Sequence, residues 1–100
     1  FVRIAYLKSR LSETEDLMTG ISQFFHMLNN VAMPKGAVIS DGLDDITLYT
    51  SCMCQQKGIY YYSTYNNNGI SAIDMNKEDL DAKEVKQFEY LDKLHITYQN

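Results

Sequence analysis

One hundred residues, 13 acidic and 9 basic, carry a net charge of −4, and 45% of the side chains are hydrophobic. That length fits a single domain that hides roughly two-thirds of its unfolded surface. An acidic balance with no clustered Lys/Arg stripe argues against nucleic-acid binding, and no apolar run approaches the roughly 20 residues that span a bilayer, so no membrane partner is expected.

The opening Phe1-Val2-Arg3-Ile4-Ala5-Tyr6-Leu7-Lys8 lacks the apolar core and small-residue cleavage site of a signal peptide, and its first residue is not Met. A processed chain, or a piece of a longer one, has this character. Val2, Ile4 and Tyr6 alternate with Phe1, Arg3 and Ala5, which reads as a short strand or an extended lead-in. Ser12-Glu13-Thr14-Glu15 has capping-box spacing, and Glu13, Glu15 and Asp16 bring negative charge to a helix start. Behind it, Leu17, Ile21, Phe24, Phe25, Leu28 and Val31 keep the three-and-four spacing of one helical face. Gly20 weakens that helix by about 1 kcal/mol relative to Ala. Asn29-Asn30 and then Pro34 stop it.

Residues 34–45 read as a loop with Lys35-Gly36 and Asp41-Gly42 as turn signals and room for an extended piece at 37–40. Strand-like runs follow at 46–53, 59–65 and 70–75, the last after Asn66-Asn67-Asn68-Gly69, whose Asn-Gly supplies a hairpin turn. Short connections argue for an antiparallel meander. Residues 77–86 read as a charged loop or one helical turn, 87–91 as a last strand and 95–98 as an extended stub. The fold class expected is α+β: one amphipathic helix packed on an antiparallel sheet.

Four stretches in order carry a resemblance: Val31-Ala32-Met33-Pro34-Lys35-Gly36, Tyr49-Thr50-Ser51-Cys52, Lys57-Gly58-Ile59-Tyr60-Tyr61-Tyr62-Ser63-Thr64-Tyr65-Asn66-Asn67, and Ala72-Ile73-Asp74-Met75-Asn76-Lys77-Glu78-Asp79-Leu80. Together they resemble the C-terminal part of the choloylglycine hydrolase family, which includes conjugated bile-acid hydrolases and penicillin V acylases. The resemblance implies an N-terminal-nucleophile hydrolase with a four-layer αββα sandwich, of which residues 1–100 form the C-terminal segment. It implies hydrolysis of a linear amide by an N-terminal cysteine whose own α-amino group serves as base. Phe1 has no nucleophilic side chain, so the catalytic part lies upstream, and this segment alone is expected to be inactive. The opening resembles the family's Ser-Arg-Phe-Val-Arg stretch. The functional arginine of that stretch falls just before Phe1, and Arg3 matches the second one. Arg3 is thus a candidate for a site-supporting role, with support of the strand through a surface or interdomain ion pair as the stronger reading. The partners implied are the remainder of the hydrolase, further copies of the chain in a homo-oligomer, and a conjugated bile acid or penicillin V as substrate. No cofactor or metal is implied.

Read without the resemblance, the other chemistry-bearing residues favour packing. Cys52 and Cys54 lie two apart with only Lys57 as a nearby cation, and read as free thiols in a reduced, cytoplasmic setting. His26 sits on the flank of the apolar helix face, and His95 has no Cys or Asp constellation around it. Glu78, Asp79 and Asp81 lack the spaced ligands of a calcium loop and read as a solvated charge run. Alternation puts Tyr60 and Tyr62 on one face of a strand and Tyr61 and Tyr65 on the other. A free-standing binding or oligomerisation module would need them as an open aromatic patch.

Overall fold

The computed structural model describes residues 1–100 and divides into two compact units, Phe1–Thr50 and Ser51–Asn100. The class is α+β, with two helices and two antiparallel sheets. No helix is long and apolar enough to cross a membrane.

The first unit begins with α1, Val2–Arg10, where the opening alternation predicts a strand. Ile4, Leu7 and Leu11 also stand at helical spacing, and Ile4 and Leu7 are the half-buried residues of that stretch. Lys8 and Arg10 place positive charge at the negative end of the helix dipole. The second helix, α2, spans Leu17–Asn29. Its cap is Asp16 rather than Ser12: the Asp16 carboxylate accepts from the Thr19 backbone N–H at 2.9 Å and from the Thr19 hydroxyl at 2.5 Å. Thr14 fixes the approach, its hydroxyl oxygen accepting from the Asp16 N–H at 3.1 Å. A residue that bonds the amide three positions on starts the helix where it stands, so the Ser12 box goes unused. Ile21, Phe25 and Met27 are buried, and the Phe24 and Phe25 rings meet edge to face at 5.8 Å. These three are the chain's buried hydrophobic residues. Asn30 caps the C-terminus of α2, and α1 packs along the helix.

The 34–45 loop contains a small hairpin, β1 (Ile39–Ser40) and β2 (Leu43–Asp44), paired Ile39 with Asp44 and Ser40 with Leu43. Asp41 and Gly42 both have positive φ, 50° and 78°, which is the twist a two-residue hairpin turn requires.

The meander is β3 (Tyr49–Cys54), β4 (Ile59–Thr64) and β5 (Asn67–Asp74), in that order in the sheet. Gly58 closes the first turn with φ 66°, its N–H donating to the Cys54 carbonyl at 2.9 Å. The second turn is Tyr65-Asn66, and Asn67 to Gly69 already belong to β5. The Asn-Gly dipeptide is therefore in the strand and not at the hairpin tip. The pairing slips between Tyr62–Ser71 and Thr64–Asn67, so an irregularity in the ladder absorbs it. A 3₁₀ turn, Met75–Lys77, follows. Residues 87–91 and 95–98 pair with no strand, contrary to their alternation.

Candidate functional site

In the first unit, Arg3 sits at the start of α1 and its Nη1 donates to the Asn30 carbonyl at 3.1 Å. A guanidinium on the last carbonyls of a helix satisfies an acceptor left open there and opposes the negative end of the dipole. Arg3 thereby braces α1 against α2. Between the helices runs a groove of about 560 Å³ lined by Leu7, Leu11, Met18, His26 and Met27 among others. His26 is exposed on its rim, with Nδ1 2.7 Å from the Ser22 carbonyl oxygen. A carbonyl oxygen can only accept, so Nδ1 carries a proton in that contact and the ring is tied to its own helix. His95 lies in the exposed tail.

In the second unit, both Cys52 and Cys54 are free and half-buried. Burial pushes the Cys52 thiol above its ordinary value, and the neighbouring Cys54 adds to the shift. A reactive thiol needs the opposite shift. Tyr60 and Tyr62 share a face, as alternation predicts, and their rings stack at 6.1 Å with 28° between planes. Tyr60, Tyr61 and Tyr62 are half-buried while Tyr65 is exposed, so the four do not make one open aromatic patch. Glu78 is paired with Lys86. No group of three His, Cys, Asp or Glu side chains converges as a metal site would.

Two features escaped sequence reasoning. Asn76 donates through Nδ2 to the Lys57 carbonyl at 2.7 Å, tying the 3₁₀ turn to the β3–β4 turn. The Asp92 carboxylate takes the Asn66 N–H at 3.0 Å and the Asn66 side-chain amide at 2.8 Å. These bonds stabilise the charged form and hold its pKa below the usual carboxylate value, the Asn66 side chain contributing most. Both link residues about twenty or more positions apart, for which local spacing carries no signal.

The chain, with these two helices and this meander, is of the α+β class. It belongs to the choloylglycine hydrolase family of linear amide C–N hydrolases, whose family model matches residues 1–88. The whole chain is 48% identical to 31% of the bile salt hydrolase/transferase of Clostridium perfringens. It is 40% identical over 85% of its length to 26% of the protein of the same name from Lactiplantibacillus plantarum. The crystal structure of a mutant conjugated bile acid hydrolase from Clostridium perfringens superposes with a TM-score of 0.83 at 47% identity, covering 99% of this chain and 30% of that one. The chain thus spans between a quarter and a third of the length of these curated relatives.

Proposed function

We propose that residues 1–100 are the C-terminal structural segment of a single-domain amide hydrolase whose nucleophile lies in polypeptide upstream of Phe1. The observation that carries this reading is the 48% identity maintained across the entire chain to one third of a bile salt hydrolase/transferase. The substrate class it supports is a bile acid amide-linked to glycine or taurine, with penicillin V as the related alternative. In the whole enzyme an N-terminal cysteine attacks the amide carbonyl as its thiolate, and the cysteine's own α-amino group takes the thiol proton. That proton passes to the leaving amine as the C–N bond breaks and a thioester forms. Water then attacks the thioester, giving the free acid and restoring the thiol. The relatives' names also carry a transferase activity.

This segment's contribution is to hold sheet and helices in place, with Arg3 as a positioning residue, inside a cytoplasmic homo-oligomer that needs no cofactor. Incubation of the chain alone with glycocholate and with penicillin V tests the reading. No release of glycine or of 6-aminopenicillanic acid is expected from the segment. The full-length enzyme should deconjugate glycocholate and lose that activity on thiol alkylation. Turnover by the segment that alkylation blocks would overturn the proposal.

A further inference from the structure

After the 3₁₀ turn the chain makes no further ladder, yet residues 86–92 are anchored at both ends. At the far end, Thr64 Oγ1 donates to the Leu91 carbonyl at 2.9 Å, Asn67 Nδ2 donates to the same oxygen at 3.4 Å, and the Asn66 N–H and side-chain amide both bond the Asp92 carboxylate. Thr64 is the chain's buried polar residue, 5% exposed, so this anchor is set in the packed end of the sheet. At the near end, Lys86 pairs with Glu78 and lies 5.1 Å from the centre of the Phe88 ring. Between the anchors, Phe88 stands at a hollow of about 420 Å³ whose wall includes Ile59, Tyr61 and Ala72 of the β4–β5 hairpin.

The two anchors differ in kind. The Lys86 side chain is 62% exposed and its Glu78 partner 24%, so the ammonium end of the pair stands in solvent, where an ion pair is weakened and screened by salt. The Asp92 anchor is a two-pronged, charge-assisted set of hydrogen bonds to uncharged donors. Such bonds are roughly twice as strong as neutral ones and respond little to screening. We propose that residues 86–92 form a strap over the Phe88 hollow that opens by salt from the Lys86 end while the Asn66–Asp92 latch keeps it tethered. Opening in that order uncovers an apolar wall on the hairpin without disturbing the sheet.

Hydrogen–deuterium exchange along the full chain tests this with Lys86→Met and Asp92→Ala. Molar salt should speed exchange at 86–89 and leave 64–67 and 91–93 unchanged. Lys86→Met should show the fast exchange at low salt and no further response to salt. Asp92→Ala should speed exchange throughout 86–98, on the order of tenfold, with β3–β5 protection kept. The proposal is overturned if salt loosens both ends together, if Asp92→Ala leaves the tail unchanged, or if that variant strips protection from the sheet as well.

Discussion

Asp16 and Cys52 have their acidities moved in opposite senses by their surroundings, and each shift has a consequence that can be measured. The Asp16 carboxyl lies below its ordinary value of 3.8 because the Thr19 hydroxyl and then the Thr19 N–H bond its charged form. A group depressed on folding contributes fully above its unfolded value, and the contribution is lost as pH falls through the folded one. Helix α2 should therefore begin to lose its cap only below about pH 3.8. An Asp16→Asn variant keeps a capping oxygen but cannot titrate, so far-UV circular dichroism should show a shallower loss of helix on acidification. An unchanged acid profile would mean the cap does not form. Asp92 is depressed in the same direction, so part of the profile should survive. Cys52 lies above its ordinary 9.0, chiefly through burial, so the folded chain holds less thiolate at mildly alkaline pH than the unfolded one. Iodoacetamide should modify Cys52 more slowly in the native chain than in urea, as followed by peptide mass. Equal rates would contradict the burial.

At the level of elements, two glycines make opposite demands. Gly20 lies in α2, and a Cβ there would meet Thr14 Cγ2 at 3.7 Å, an ordinary contact. Gly20→Ala should add up to about 1 kcal/mol to stability. Gly58 has φ 66°, and its Cβ would come within 3.3 Å of Asn76 Nδ2. Gly58→Ala should cost about 1–2 kcal/mol through left-handed strain and pressure on the Asn76 tie. Urea unfolding with an unchanged slope separates the two. The same contrast explains which elements were legible. The α2 stripe and the Asp41-Gly42 turn announce themselves because each has a local cause, helical periodicity in one case and positive φ in the other. Residues 1–8 satisfy two periods at once, and eight residues are too few to decide between them. Asn68-Gly69 looked like a turn, but the register that places it in β5 is set by pairing with β4. Residues 87–91 alternate as a strand does, yet they are held by side-chain anchors and pair with no strand edge. Local spacing alone did not reveal a catalytic apparatus. Its nature came only through family resemblance.

At the scale of the molecule, surface area says what the elements alone do not. Two separate compact bodies, each of half the chain's 11.5 kDa, expose roughly 7,000 Å² together. The chain exposes 8744 Å². The excess over the two-body figure, roughly 1,700 Å², is about twice what one partner gives to a standard protein interface. Much of it is apolar: Leu43 is 73% exposed, Val85 90% and Tyr98 79%. Large uncovered apolar surface is unstable in water unless another polypeptide takes it up, and a two-stranded hairpin such as β1–β2 is marginal without support. If the rest of a hydrolase normally covers these side chains, the isolated segment should satisfy them by self-association. Light scattering should show mass rising with concentration, and the dye ANS should fluoresce with the segment far more than with the full-length enzyme. A dilution-independent monomer that leaves ANS dark would show that the hundred residues need no covering, and that they are a domain in their own right.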